Sequence, residues 1–370
     1  MTKPLDIVVL GLSLSSSWGN GHATTYRALL KGLDAEGHRL LFLERDVPWY
    51  AQNRDLATPG FCALSFYCDL PDLLARFSNR LASADSVVVG SYLPDGVRII
   101  DALHALRSEG LCFYDIDTPV TLAKLDRADE TYLARRQIPG FDLYLSFTGG
   151  PVLERLERVY RARRAIALYC SVDAENYRHS GEAACWDLGY LGTYSEDRQP
   201  VLERLLIEPA RRLPQMRFVV AGPQYPATID WPGNVERIEH LPPAQHASFY
   251  SRQRFTLNVT RADMVAAGWS PSVRLFEAAA CQAPLISDFW RGLDELFGTA
   301  VVVVDDTADV VRALTTINEP RRQDLAARAR ACVLRRHTGQ VRARELASAL
   351  QCLGLREKQR LSRQSRQTQV

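Results

Sequence analysis

The stretch FTLNVTRADMVAAGWSPSVRLFEAAACQAPLISD, residues 255–288, decides the fold of this chain. Its pattern predicts a strand at 255–259, a polar loop rich in small residues, a short helix, and a second strand at 284–287. Ser270 is predicted to be the N-cap of the helix, and Pro271 suits its first position. A strand, a helix and a further strand in succession are typical of a parallel sheet covered by helices.

Helical spacing divides this predicted helix into two faces. One face would carry Ser270, Arg274, Glu277 and Cys281, and the other Val273, Phe276 and Ala280. Unpaired N–H groups at Ser272 and Val273, at the positive end of the helix dipole, suit a diphosphate. Glu277 would lie about 10 Å further along the axis, where a carboxylate can accept two ribose hydroxyls. An amphipathic helix with a surface pair of Arg274 and Glu277 explains the same pattern equally well.

Length and composition restrict the class of protein. A chain of 370 residues exceeds the usual limit for one hydrophobic core, so two domains are expected. Hydrophobic content of 46%, charged content of 24% and a net charge of +2 are those of an ordinary soluble protein, and no nucleic acid partner is predicted. The eight cysteines form no C-x-x-C pair, which favours buried thiols over disulfides or a metal site. Without a signal peptide pattern or a long apolar run, the protein is predicted to be cytoplasmic.

Short apolar runs alternate with helical stretches along most of the chain, which predicts an α/β protein with two facing Rossmann-like domains, parallel sheets and a cleft between them. The predicted divisions are an N-terminal domain at 1–172, a linker at 173–186, a C-terminal domain at 187–335, a helix at 336–354 that packs back on the N-terminal domain, and a disordered basic tail at 355–370.

Several runs resemble one family of enzymes. LGTYSEDR (191–198), FVVAGPQYP (218–226), residues 249–281 and LISDFWRGLDELF (285–297) resemble the CgeB-like glycosyltransferases, and more broadly the GT-B nucleotide-sugar transferases of the family 4 type. In the first half, YDIDTPVTLAKL and DLYLSFTGGPVLERL are similar to the same subfamily. The resemblance implies the GT-B fold, acceptor binding mainly by the first domain, and nucleotide-sugar binding mainly by the second. It also implies no metal and no cofactor beyond the nucleoside diphosphate sugar donor.

The resemblance assigns roles to particular residues of the second half. Glu277 matches the glutamate that holds the ribose hydroxyls, and Arg198 matches a cationic phosphate contact. The donor-binding loop ahead of Arg198 consists of Gly192, Thr193 and Tyr194, and the diphosphate-binding helix start of Ser270, Pro271 and Ser272. Trp269 occupies the position of an earlier glutamate that family 4 enzymes often carry, so the donor-sugar contact and retention of anomeric configuration stay open.

A transferase without a metal must neutralise its leaving diphosphate with cations and backbone dipoles. Arg198, Arg261 and Arg274 are the candidates, because the guanidinium fork binds phosphate in a bidentate manner. The alternative for each of these arginines is a solvated surface side chain.

The first half offers two candidate catalytic side chains besides Arg198. His22 follows a Gly/Ser loop after the first strand, and it is either a base or donor-sugar ligand or a histidine that bonds to backbone at a helix start. Asp117 follows a later strand, and it is either a base or acceptor-hydroxyl ligand or the cap of a helix that begins near Thr121. The Gly/Ser loop lacks the G-x-G-x-x-G spacing, which disfavours a NAD-dependent oxidoreductase.

The sequence therefore predicts a glycosyltransferase that moves a sugar from a nucleoside diphosphate sugar to an acceptor hydroxyl. The predicted partners are the donor and an unidentified glycan, lipid, protein or small-molecule acceptor, with weak peripheral membrane contact through the basic tail as a further option. A GT-B-fold sugar-nucleotide epimerase and a non-catalytic nucleotide-sugar-binding protein remain alternatives.

Overall fold

The computed structural model describes residues 3–18 and 21–367, with side chains described as far as residue 353. The chain divides into two compact units. The second unit comprises Ser17–Thr25 and Cys170–Thr338, and the other described residues form the first unit. The predicted linker at 173–186 is therefore part of the second unit.

The first unit is built on a seven-stranded parallel sheet in the order β3-β2-β1-β4-β5-β6-β7. Its strands are β1 (Asp6–Gly11), β2 (Arg39–Arg45), β3 (Ala63–Tyr67), β4 (Ser86–Gly90), β5 (Leu111–Asp115), β6 (Leu143–Ser146) and β7 (Ala165–Ala167). Every residue of β1, β4 and β5 is buried, as expected for strands that helices cover on both faces. The strand order reverses between β1 and β4, which is the topological switch point of this sheet.

Except for the last one, the helices of the first unit lie between successive strands of its sheet. They are α1 (Gly21–Ala35), α2 (Pro48–Ala51), α3 (Leu70–Ser83), α4 (Gly96–Leu106), α5 (Thr118–Asp126), α6 (Pro151–Arg158) and the C-terminal α15 (Gly339–Gln367), together with a 3₁₀ turn at Arg135–Gly140. Gly32 of α1 lies against Gly339, where a Cβ on Gly32 would come within 2.5 Å of the Gly339 carbonyl oxygen. This close approach holds the beginning of α15 on the first unit.

The second unit has a six-stranded parallel sheet in the order β10-β9-β8-β11-β12-β13. Its strands are β8 (Trp186–Leu191), β9 (Phe218–Ala221), β10 (Val235–Ile238), β11 (Gln253–Asn258), β12 (Leu285–Ser287) and β13 (Val301–Val303). Here the order reverses between β8 and β11. The prediction of two parallel-sheet α/β domains is confirmed, and the loops that follow β8 and β11 mark the expected ligand-binding edge.

The helices of the second unit begin with a nearly continuous stretch after β8, consisting of α7 (Gln199–Leu202), a π turn (Glu203–Ile207) and α8 (Glu208–Arg212). The others are α9 (Pro243–Ser251), α10 (Ala262–Ala267), α11 (Val273–Ala280), α12 (Leu293–Phe297), α13 (Thr307–Thr316) and α14 (Glu319–Arg336). The short helix α10 lies within the segment that was predicted to be a polar loop.

The prediction of the start of α11 is wrong by two residues. The N-cap is Ser272, and no side-chain oxygen caps the helix. Ser270 is buried, and the carbonyl of Pro271 accepts a hydrogen bond from the Cys170 thiol at 3.4 Å, so this segment serves as a buried connection before the helix. Every residue from Arg274 to Ala280 is buried. The alternative of an exposed helix with a surface Arg274–Glu277 pair is therefore also wrong.

The C-terminal segment also differs from its prediction. α15 runs as far as Gln367, so most of the segment 355–370 is helical rather than disordered, and its last three residues lie outside the described residues. Polar composition predicted disorder because few apolar side chains are available there for burial. The run contains neither proline nor glycine after Gly354, and long straight side chains favour helix, so the local preference extends α15.

Candidate functional site

The loops that follow β8 and β9 are held tightly together at the carboxyl edge of the second sheet. The Gly192 amide donates to the Ala221 carbonyl at 2.9 Å, and the Tyr225 hydroxyl donates to the Gly192 carbonyl at 3.1 Å. The Tyr194 amide donates to the Pro223 carbonyl at 3.0 Å. A Cβ on Gly192 would come within 2.7 Å of Nη2 of Arg274, so a larger residue here would displace that guanidinium. The predicted donor-binding loop is thus a fixed element.

Arg274 connects the two strands of the switch point. Its Nε donates to the carbonyl of Leu191, at the end of β8, and its Nη1 donates to Oδ1 of Asn258, at the end of β11, at 2.9 Å. Its guanidinium also lies over the Tyr190 ring, 4.5 Å from the centroid. Because Arg274 is only 6% exposed and two of its groups bond within the protein, its contacts are those of a structural tie. A phosphate contact by Arg274 stays a prediction.

A buried polar network extends from Asn258 to the end of β12. Asn258 Nδ2 donates to Ser287 Oγ and Thr260 Oγ1, both at 3.0 Å, and Thr260 donates to Asp288 through its amide and its hydroxyl. Burial raises the pKa of Asp288, although the Thr260 hydrogen bonds oppose the rise. Sequence reasoning missed this network. The sequence did contain a signal for it, because each of the two apolar strands ends in polar residues: Asn258 in FTLN, and Ser287 and Asp288 in LISD.

Glu277 lies in a buried cluster with two tyrosines and a histidine. Its Oε2 accepts a hydrogen bond from the Tyr250 hydroxyl at 3.0 Å and lies 3.7 Å from Nδ1 of His246. The Tyr177 hydroxyl lies 3.1 Å from the same histidine nitrogen. Burial and the nearby carboxylate of Glu277 raise the pKa values of Tyr177 and Tyr250 well above their usual range. Both phenols therefore stay protonated, and the Tyr250 hydroxyl donates to Glu277. The sequence did not indicate this cluster.

Arg198 is placed differently from Arg274. Its Nη2 donates to the carbonyl of Thr193 at 2.7 Å, which attaches it to the loop after β8. Its Nε is buried and has no hydrogen-bond partner in the part of the chain that the structure describes, and the same holds for Oε1 of its neighbour Gln199. Buried polar groups are nearly always paired, so an unpaired donor and an unpaired acceptor on successive residues indicate that a ligand or solvent completes their hydrogen bonds.

Trp269, at the position where the resemblance would place an earlier glutamate, makes structural contacts of its own. Its backbone is left-handed, with φ of 43°, and its amide donates to the Arg291 carbonyl at 2.5 Å. Its indole Nε1 donates to Oε2 of Glu295 in α12 at 2.9 Å. A Cβ on Gly292 would come within 2.4 Å of the indole ring, so the ring packs directly on that glycine. The indole thus ties the turn before α11 to α12.

In the first unit, the loop after β1 is hydrogen-bonded to the side-chain carboxylate of Glu44. Glu44, which is fully buried in β2, accepts the amides of Leu14 and Ser15 at 2.7 and 2.9 Å. It also accepts the Ser15 hydroxyl at 2.6 Å and the Ser13 hydroxyl at 3.2 Å. The amides that a dinucleotide phosphate would need are therefore already bonded, which argues further against a NAD-dependent oxidoreductase.

The remaining predicted catalytic residues lie in different units. His22 is in the first turn of α1, within the segment that groups with the second unit, and is half-buried. Asp117 belongs to the first unit and is the N-cap residue of α5, but its side chain makes no capping hydrogen bond. Its Oδ2 instead accepts the Tyr92 hydroxyl at 3.2 Å. The alternative that the Asp117 side chain caps a helix is therefore wrong.

Asp115, two residues earlier, is the buried carboxyl at the end of β5. Its side chain accepts hydrogen bonds from Thr121 at 2.7 Å and Tyr144 at 2.6 Å. Burial raises the pKa of Asp115 to about 6, while these two hydrogen bonds oppose the rise and the charge of Asp117 adds to it. A carboxyl group with this pKa changes its charge in the range where many proteins operate.

We expect Asp115→Asn to change how stability depends on pH. The folded-state pKa is above the ordinary value, so protonated Asp115 favours folding at low pH, and this contribution is lost as the pH rises from about 4 to about 6. A shift of about two pKa units corresponds to about 3 kcal/mol. Urea unfolding at pH 4 and pH 6.5 should show the stability of the variant, relative to wild type, rising by about that amount. The exposed Glu109→Gln is the control, and a constant difference for Asp115→Asn would contradict the assignment.

Three further observations concern metal binding, the state of the cysteines and membrane-spanning helices. Among the described residues, no three or more His, Cys, Asp or Glu side chains come together as a metal-binding group. All eight cysteines are free thiols. Within the described part of the chain, none of the helices has the length and apolar character that crossing a membrane requires.

Solved structures match this chain over nearly its whole length. Sucrose-phosphate synthase from Thermosynechococcus elongatus has a TM-score of 0.72 at 14% identity, covering 95% of this chain and 99% of that one. HepE from Anabaena, in complex with UDP and glucose, has a TM-score of 0.68 at 14% identity, covering 94% and 99%. An alpha-glucosyltransferase in complex with UDP-glucose and DNA containing an abasic site has a TM-score of 0.68 at 11% identity, covering 94% and 100%. The chain therefore has the fold of the GT-B glycosyltransferases.

A family model matches part of the second half of the chain. Residues 198–348 match the family described as glycosyl transferase-like. No curated protein matches the chain in sequence. The matched segment begins at Arg198 and includes Glu277 and the loops after β9, β11 and β12. The fold and the family match together support a glycosyltransferase of the GT-B type.

Proposed function

We propose that this protein transfers a sugar from a nucleoside diphosphate sugar to an acceptor hydroxyl, and that protein cations rather than a metal neutralise the diphosphate. One observation carries the proposal. At the switch point of the second sheet, the unpaired Nε of Arg198 lies beside the rigid loop of Gly192, Thr193 and Tyr194. The glycosyl transferase-like match and the bound UDP of the HepE structure support a nucleotide-sugar as the ligand there.

Within this proposal, Arg198 and Arg274 have different roles. Arg198 binds the diphosphate, because its guanidinium still has an unpaired N–H. Arg274 holds the ends of β8 and β11 in place and so fixes the loop that carries Arg198. A preorganised cation lowers the barrier most when it is held where charge develops in the transition state. Ser270 and Ser272 stay candidates for the diphosphate contact at the start of α11.

The chemistry that follows is a group transfer. The bond between the anomeric carbon and the diphosphate oxygen breaks, the electron pair goes to the diphosphate, and Arg198 stabilises the added charge. The acceptor oxygen forms the new bond to the anomeric carbon and loses its proton to a base. Asp117 and His22 are our candidates for this base, since carboxylate and imidazole side chains are common general bases.

Glu277 is proposed to hold the ribose, and its cluster determines which variant tests this. Glu277→Ala leaves the Tyr250 hydroxyl without its acceptor, so its free energy of unfolding should fall by about 2–4 kcal/mol. Glu277→Gln keeps the shape and an acceptor oxygen but loses the charge. We expect it to weaken UDP binding by about 10- to 100-fold in calorimetry, since hydrogen bonds to charged groups contribute about 1.5–3 kcal/mol. Tyr250→Phe is the control for disturbance of the cluster, and unchanged UDP binding by Glu277→Gln would exclude the ribose role.

A donor panel tests the reaction itself. The protein is incubated with UDP-, GDP- and dTDP-sugars, with and without cell extract as a source of acceptors, and the free nucleoside diphosphate is measured. Acceptor-dependent release from one donor is the expected result. Binding of a donor without release under any condition would favour a non-catalytic nucleotide-sugar-binding protein.

A further inference from the structure

An exposed carboxylate, Asp197, lies directly beside the proposed diphosphate contact and makes specific contacts of its own. Its Oδ2 accepts the amide of Ala262, the first residue of α10, at 3.2 Å and lies 3.8 Å from Nε of Arg261. Its Oδ1 accepts the Ser195 hydroxyl. Since Asp197 is on the loop after β8 and Ala262 on the loop after β11, this carboxylate bridges the two loops of the switch point.

The position of Asp197 is one that attracts negative charge. Burial opposes ionisation, but the Ser195 hydroxyl and the Ala262 amide, with the nearby charges of Arg261 and Arg198, hold the pKa of Asp197 below its ordinary value. Asp197 therefore carries a full negative charge at neutral pH. Its chain neighbour Arg198 bonds to the Thr193 carbonyl.

We propose that Asp197 is a built-in counter-charge that weakens the binding of nucleoside diphosphates and so speeds release of the product. The proposal rests on the proposed function, because it takes the diphosphate to lie at Arg198. A bound diphosphate and the Asp197 carboxylate compete for the same positive environment and repel each other. A transferase gains from this arrangement when tight binding of the leaving diphosphate would otherwise slow each turnover.

A substitution of Asp197 can remove its negative charge while keeping a hydrogen-bond acceptor. Asp197→Asn retains a carbonyl oxygen that accepts from Ser195 or Ala262, but it removes the negative charge. One unit of charge at a partly exposed site changes ligand affinity by up to about tenfold at low salt. Ions screen this effect within a Debye length of about 8 Å at physiological ionic strength. A purely structural role of Asp197 would not produce such a salt dependence in the affinity.

The experiment compares UDP, GDP and dTDP binding to the full chain by calorimetry at 20 mM and 300 mM salt, with dissociation rates from stopped flow. We expect Asp197→Asn to bind the preferred diphosphate about three- to tenfold more tightly at low salt, with slower dissociation, and the gain to shrink at high salt. Glu196→Gln removes a charge from the adjacent exposed carboxylate and is the matched control. Asp197→Glu restores the charge and should return the affinity toward wild type.

The possible outcomes distinguish a failure of this inference from a failure of the proposed function. If the wild type binds none of the three diphosphates, the proposed function fails. If the wild type binds one of them and Asp197→Asn binds it equally or more weakly, the counter-charge is excluded while the proposed function stands. An equal gain in Glu196→Gln would also overturn the inference, because the effect would then come from net charge rather than from Asp197.

Discussion

Arg198→Met should lose most of its affinity for nucleoside diphosphates while its stability stays close to wild type. The variant removes the guanidinium whose Nε is unpaired, and a charge-assisted bond of this kind contributes about 1.5–3 kcal/mol, or about 10- to 100-fold in affinity. Folding loses only the bond to the Thr193 carbonyl, which is about 1 kcal/mol. Calorimetry with the preferred diphosphate and thermal unfolding measure the two effects.

Two further variants make this comparison specific. Arg212→Met removes an exposed arginine of α8, so it should match wild type in both measurements. Arg198→Lys keeps the charge without the fork and should recover part of the affinity. If Arg198→Met binds the diphosphate as tightly as wild type, the phosphate site lies elsewhere, and the starts of α10 and α11 become the next places to examine.

Arg274→Met should give the opposite result, with a large loss of stability. The carbonyl of Leu191 and Oδ1 of Asn258 would each lose a buried donor, at about 1–3 kcal/mol per group, so we expect a total loss of about 3–5 kcal/mol. Urea unfolding followed by intrinsic fluorescence measures this, with Arg212→Met again as the control. A stable Arg274→Met that has lost diphosphate binding would show that Arg274 is a ligand residue and not a structural tie.

Arg198 and Arg274 show which features of the site the sequence could predict and which it could not. Strand and helix periodicity predicted both sheets, because parallel strands buried on both faces produce continuous apolar runs such as those of β1 and β4. The same reasoning predicted Arg198 and Arg274 near the loops at the carboxyl edge of the second sheet, and in the structure they bond to Thr193 and to the ends of β8 and β11. It could not distinguish them, because their roles depend on which acceptors the neighbouring strands supply. Those acceptors come from residues up to 83 positions away in the sequence.

Local sequence patterns also could not predict which residues surround Glu277 or where α11 begins. The cluster around Glu277 draws Tyr177 from a segment that reads as a linker and Tyr250 from α9. The sequence predicts a polar face on this helix, but every residue from Arg274 to Ala280 is buried, and Glu277 accepts a hydrogen bond from Tyr250 rather than facing solvent. The N-cap of α11 was displaced for a similar reason, since the turn at Gly268 and Trp269 is fixed by its bonds to Arg291 and Glu295.

The glutamate beneath the loop after β1 has a consequence for how that loop is held. A free anion would have to be captured from solution at an entropic cost, and its occupancy would vary with its concentration and with competing salt. Glu44 is tethered to the neighbouring strand, so its effective concentration at the Leu14 and Ser15 amides is fixed by the fold itself. The anion that these amides bind is therefore part of the protein and needs no supply from solution.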